Sequence, residues 1–151
     1  MRKSFTLIEL IFTIVVIAIL AGIAIPKYIH LKKAAEVRQS VKNALEGAKE
    51  ARDVAVNLAV LENNLSFKLR DLVKIEGSNW RYDTAGDGTY IYSNPEQVVR
   101  INLNKTHRYI KVWIKCWGFK DAYRKDECGK MVGLPVPLSY YNSIYSDYYH
   151  F

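Results

Sequence analysis

The chain divides by its hydrophobic pattern. From Phe5 to Ile25 almost every residue is apolar, and Glu9 is the one charge in the run. About 20 such residues at 1.5 Å rise cover about 30 Å, enough to cross a bilayer. From Lys27 the pattern turns amphipathic. Ala34, Val37, Val41, Ala44, Ala48, Ala51, Ala55 and Leu58 recur at steps of three and four, which is an apolar stripe on a continuing helix. Lys32, Lys33, Glu36, Arg38, Lys42, Glu46, Lys49, Glu50 and Arg52 fill the other faces and read as a solvated surface. One helix from Phe5 to about Asn57 would be on the order of 80 Å long. No small domain buries such a helix alone, so its N-terminal half must meet lipid or other copies.

Downstream, NNLSFKLRDLVKIEG reads as a short helix ended by Gly77. Then β-branched and aromatic residues take over, and GTYIYS, QVVRINLN and HRYIKVWIKCW read as three strands. Asp87-Gly88 and Asn94-Pro95 mark turns. In the third strand Ile110, Val112, Ile114 and Cys116 alternate with Tyr109, Lys111, Trp113, Lys115 and Trp117. The first set should pack on the helix stripe. The predicted class is α+β, a long N-terminal helix laid on a small antiparallel sheet.

The 151 residues allow one compact head plus an attached element, and the formal net charge of +7 suits either an acidic partner or plain solubility. Two cysteines, Cys116 and Cys128, behind an export-type N-terminus read as one disulfide in an oxidising compartment. A metal site, the alternative, would need further ligands, and CWGFKDAYRKDEC holds no His. His30, His107 and His150 are scattered, and no nucleotide-binding or nucleophile motif occurs, so neither a catalytic site nor a metal or cofactor is expected.

Arg2 and Lys3 before the apolar run admit three readings. A cleaved signal peptide would have an overlong hydrophobic region, and a plain single-span anchor gives Glu9 no purpose. A carboxylate in a membrane segment is costly, roughly 2.5–3.5 kcal/mol at the helix centre, and such residues usually have a partner. If the chain is cut between Ser4 and Phe5, the new amine on Phe5 lies one helical turn from Glu9. An amine-to-carboxylate contact between packed helices would fix their axial register.

Lys3-Ser4-Phe5-Thr6-Leu7-Ile8-Glu9-Leu10, the aliphatic run and Pro26 resemble the class III signal of type IV pilins and type II secretion pseudopilins. The resemblance covers about the first 28 residues. It implies that a prepilin peptidase cuts before Phe5 and methylates the new amine, and that Glu9 is the register residue. The family nearly always has Gly before the cut where this chain has Ser4; a small residue should fit, with slower processing. Gly22 lies four residues before Pro26, so helix weakness is concentrated between them. It is either a kink in an anchor or, as in pilins, a segment that unwinds when subunits pack. The resemblance also implies the helix-on-sheet fold and a disulfide-closed C-terminal region. Closing a loop of this size should stabilise by roughly 3 kcal/mol.

Three further signals each carry two readings. Lys111 and Lys115, interleaved with Trp113 and Trp117, could stack and neutralise nucleic acid, or the Trp rings pack under the disulfide loop while Lys tips reach water. Asp83 and Asp87 could hold calcium, although turn residues are the default. The tail SYYNSIYSDYYHF, with Tyr140, Tyr141, Tyr145, Tyr148 and Tyr149, could be a subunit contact or a strand or coil folded back on the head.

The expected organisation is a leader at 1–4, a transmembrane or filament-core helix at 5–28, its amphipathic continuation at 29–60, and a β-rich head at 61–151. The expected function is a structural subunit, not an enzyme, of a type IV pilus or pseudopilus. Its expected partners are prepilin peptidase and other pilin-like subunits. It would sit once across the bacterial inner membrane before assembly and in a periplasmic or cell-surface filament afterwards. The rival is an anchored, non-polymerising binding module, with a head that takes nucleic acid or another ligand. Major pilins, minor pilins and pseudopilins share this N-terminus, so the motif reaches the class and not its branch.

Overall fold

The computed structural model describes residues 6–138 and 143–151. Ser4, Phe5, Tyr140 and Tyr141 lie outside them.

Helix α1 runs unbroken from Leu7 to Val56, 50 residues or about 75 Å, with a single wider turn over Asn57–Leu61 at its end. Pro26 sits inside it. The two halves of α1 have different surroundings. Leu7 through Leu31 project into the open, while the head buries Ala34, Val37, Ser40, Val41, Ala44, Gly47, Ala48, Ala51 and Ala55. The predicted stripe is thus buried from Ala34 to Ala55 and extended by Ser40 and Gly47, while its last predicted position, Leu58, is only partly buried. Small side chains let the sheet and the 73–75 segment come close to the helix axis. A Cβ on Gly47 would stand 2.9 Å from Ile75 Cδ1.

The sheet has five strands in sequential antiparallel order. They are β1 (Trp80–Asp83), β2 (Thr89–Ser93), β3 (Gln97–Asn104), β4 (Tyr109–Lys115) and β5 (Ile144–His150). The three predicted strands are β2, β3 and β4. Tyr90, Tyr92, Val99, Ile101, Leu103, Ile110, Val112 and Ile114 form the inward face and join the α1 stripe in one core. Tyr90 Oη keeps its hydrogen bond by donating to the Val73 carbonyl at 3.0 Å.

The tail is the fifth strand. It pairs with all of β4, from Tyr109↔His150 to Lys115↔Ile144, and Phe151 N–H donates to the Arg108 carbonyl at 3.1 Å. The described residues of this segment therefore form a strand on the chain's own head.

The predicted helix before Gly77 needs correction. Helix α2 covers only Leu69–Leu72, and Val73 is already extended, at φ −149° and ψ 146°. The β-branched Val73 and Ile75 gain more by packing extended against α1 than by continuing a helix. Gly77 instead opens the turn into β1, at φ 149°, with its carbonyl accepting from Trp80 N–H at 3.1 Å.

Cys116 and Cys128 are bonded, with Cα atoms 5.5 Å apart. The bond ties the end of β4 to helix α3 (Ala122–Val132). Helix α3 starts at an Asp121 side chain that accepts from Arg124 N–H and ends at Gly133, φ 73°, as helix ends commonly do.

Two outcomes follow from this packing. Ala48→Leu places three extra carbons where the site is fully buried and should destabilise the head by about 1–3 kcal/mol or more in chemical denaturation. Replacing both Cys116 and Cys128 by Ser should cost about 3 kcal/mol in the same assay, because the unfolded chain regains the freedom of the closed loop.

Candidate assembly segment and head surface

The start of α1 is built by a reciprocal cap. Glu9 N–H donates to Thr6 Oγ1 at 3.4 Å, and the Glu9 carboxylate accepts from Thr6 N–H at 2.9 Å and Thr6 Oγ1 at 2.7 Å. Two orphan donors of the helix end are satisfied at once. Charge pairing alone does not point to Thr6 as a Glu9 partner. The signal was present: Thr6-Leu7-Ile8-Glu9 has the T-x-x-E spacing of a capping box. Ser4 and Phe5, the residues on either side of the expected cut, fall outside the described chain.

Beyond the cap, every large side chain of the segment is solvent-facing, from Leu7 at 77% exposure to Leu31 at 68%. The thirteen aliphatic or Phe side chains from Leu7 to Ile25 would each gain about 0.3–0.6 kcal/mol in a bilayer. Their sum, roughly 4–8 kcal/mol, exceeds the roughly 2.5–3.5 kcal/mol cost of one acidic residue even at the helix centre. Glu9 lies near the end, where the cost is smaller. Among the described residues this is the helix long and apolar enough to cross a membrane. Gly22 and Pro26 sit in its exposed part with the α-helix continuous through both, and nothing lies within 4 Å of a Cβ placed on Gly22.

Where α1 enters the head, the start of α3 grips it. Arg124 donates to Glu36 Oε2 from Nη2 at 2.8 Å and from Nε at 3.1 Å, and pairs with Asp121. Glu36 Oε1 also accepts from Tyr92 Oη at 3.2 Å and from the Asn94 amide. Lys33 pairs with Asp121 at 3.4 Å, and the His30 and Tyr123 rings lie 4.8 Å apart. Helix, sheet and disulfide loop meet at Glu36. Partial burial alone would raise the Asp121 pKa. The Arg124 backbone N–H, the guanidinium and Lys33 outweigh it and hold the carboxyl below its usual 3.8.

The outward face of the sheet is separate from both. Lys111 and Trp113 line one depression of about 420 Å3 with Arg100 and Asn102. Lys115 and Trp117 are not part of it. Lys115 Nζ sits 3.4 Å from the centre of the Trp117 ring and 3.0 Å from Glu96 Oε2. The four residues expected to form one basic-aromatic patch therefore divide into two pairs. Asp83 and Asp87 serve as turn residues. Asp83 accepts from Ala85 N–H at 3.0 Å, and Asp87 accepts from Lys105 N–H at 2.9 Å while pairing with its ammonium at 3.3 Å.

Residues 1–25 match the prokaryotic N-terminal methylation motif. That motif marks type IV pilin-like and pseudopilin-like proteins, and the α+β architecture of a long helix on an antiparallel sheet is consistent with the pilin fold. Residues 1–25 thus carry a motif found in precursors that prepilin peptidase processes, and the proteins this motif marks are structural rather than enzymatic. Its apolar helix fits membrane anchoring before assembly. No curated protein and no solved structure matches the chain significantly.

The Glu36 junction generates a pH dependence. The Asp121 carboxyl has a folded pKa lowered from its usual 3.8, so its contribution is full above that usual value. It is lost as pH falls through the folded one. Asp121→Asn should flatten the acid limb of a stability-against-pH curve below about pH 5 and leave the neutral-to-alkaline limb parallel to the original.

Proposed function

We propose that this chain is a structural subunit that polymerises through the exposed half of α1 into a type IV pilus or pseudopilus. The observation that carries the reading is an apolar helical run from Leu7 to Ile25 whose large side chains are all exposed and which begins with a capped carboxylate. Residues 1–4 act as a leader. Cleavage at Ser4–Phe5 frees an amine on Phe5, which prepilin peptidase methylates. The helix waits in the inner membrane and then packs beside the helices of other pilin-like subunits.

Glu9 does two jobs in sequence. In the single chain Thr6 satisfies its carboxylate, which lowers the cost of carrying it into lipid. During assembly the carboxylate pairs with a Phe5 amine, and the pair fixes how far one helix slides along the next. Gly22 and Pro26 supply the weak stretch at which the helix adapts its path. Residues 29–60 continue the helix onto the 61–151 head, which faces outward from the bundle.

Glu9→Ala tests this reading. The variant should still insert in the membrane and be cut before Phe5, as read by intact mass and N-terminal peptide spectra, while filaments fall to background in electron micrographs of sheared preparations. Normal filament yield would remove Glu9 from assembly. A native chain that begins at Met1 would favour the anchored, non-polymerising module, in which Glu9→Leu is tolerated.

A further inference from the structure

Strand register places a set of polar and charged side chains on the outward face of the sheet. One row across the strands is Arg81, Ile91, Arg100, Trp113 and Ser146; the next is Asp83, Thr89, Asn102, Lys111 and Tyr148. Arg81, Arg100 and Lys111 form no ion pair among the described residues. Arg100 donates one bond, from Nη2 to Gln97 Oε1 at 2.7 Å, and keeps the rest of its fork. Lys111 lies over the Tyr148 ring at 4.9 Å, an arrangement that positions an ammonium without neutralising it. Asn102 spends its amide N–H on Thr89 Oγ1 at 2.9 Å, which leaves its carbonyl oxygen as an acceptor in the depression.

The aromatic side chains there are not equivalent. Lys111 covers the Tyr148 ring, and Tyr109 meets it edge-on at 5.2 Å. Trp117 is covered by Lys115. Trp113 enters no ring–ring or cation–ring contact among the described residues. The surface therefore offers one partly exposed ring without an aromatic or cationic partner, two flanking cations and one hydrogen-bond acceptor, in a depression of about 420 Å3. Single-stranded nucleic acid is held by successive stacking platforms, and among the described residues of the depression one stands.

We propose that this depression binds a carboxylate-bearing sugar ring of an acidic glycan. The C–H face of the ring lies on Trp113. A ring hydroxyl donates to the Asn102 oxygen. The carboxylate takes the Arg100 fork, the geometry in which Arg and carboxylate match best, with Lys111 on the other side. Arg81, two strands from Arg100 and so about 10 Å away, is placed for a carboxylate on a neighbouring residue of the glycan. The site size is that of a small ligand. The inference stands whether or not the chain polymerises, since it uses no residue of α1.

The test is calorimetric titration of the full-length mature protein in detergent micelles with a uronic-acid tetrasaccharide. The neutral tetrasaccharide of the same linkage and a tetranucleotide of single-stranded DNA are titrated in parallel. Saturable binding of the uronate is expected, at least about tenfold tighter than either comparator. Trp113→Ala and Arg100→Gln should each weaken it about tenfold or more, with far-UV circular dichroism unchanged. Trp113→Tyr should recover part of the loss. Lys120→Gln, which removes one charge from an exposed position outside the depression, should have no effect. Absence of binding, equal binding of the neutral sugar, equal or tighter binding of the oligonucleotide, or the same loss from Lys120→Gln would overturn the proposal.

Discussion

One constraint governs the molecule: a single helix has to satisfy two solvents. An α-helix keeps its backbone hydrogen bonds within itself, so it can leave a water-facing head and enter an apolar phase without orphaned peptide groups. Its side chains are free to change character along its length, and here they do so in two steps, at Lys27 and at Ala34. From Leu7 to Ile25 the helix is apolar nearly all round, with Glu9 its one charge; from Ala34 one stripe is apolar, small and buried. The head exists because that stripe can be covered by the sheet. The other half has no such cover among the described residues.

The sheet is fitted to the stripe from the opposite direction. Alanine and glycine on α1 bring the backbone close, and the bulk of the core comes from the strands and loops: Tyr90, Tyr92, Ile101, Ile110, Ile114 and Phe119. A helix with large stripe residues would stand farther off, and Tyr90 would lose its reach to the Val73 carbonyl. The disulfide then fixes α3 where Arg124 can meet Glu36. That junction is partly buried, with Arg124 16% and Glu36 28% exposed. It also has several hydrogen bonds, which is the setting in which an ion pair contributes more than a surface pair does.

The legible parts of the sequence were those with a long period or a strict alternation. The stripe over Ala34–Ala55 and the alternation in Tyr109–Lys115 each repeat often enough to override local exceptions. Strand β1 is four residues long and takes its conformation from pairing with β2, so its own pattern carries little. Helix α3 is mostly polar, so its apolar periodicity is weak, although Asp121 and Gly133 mark its two ends. Glu9 is met within the chain by Thr6, a neutral residue three positions away that charge pairing does not single out. On the outward face, sequence alternation placed Lys111, Trp113 and Lys115 together. It could not show that Lys115 is spent on Trp117 and Glu96, or that Arg100 comes in from β3, because both depend on pairing between strands.

The junction at Glu36 lies where the bare half of α1 meets the head, and that position has a mechanical meaning. Tension along the protruding helix enters the head at its nearest anchored turns, from Lys33 to Val41, before it reaches the sheet. There the load is taken in shear by Glu36 against Arg124 and Lys33 against Asp121, several bonds acting side by side and not one after another. From Arg124 it passes along α3 and through the Cys116–Cys128 bond into β4, whose neighbours on both sides, β3 and β5, are paired along its length. A covalent link thus lies in the path from the shaft to an interior strand of the sheet. A pull strong enough to separate the small-residue stripe from the strands still has to break a grip that is bolted to the other side of the core.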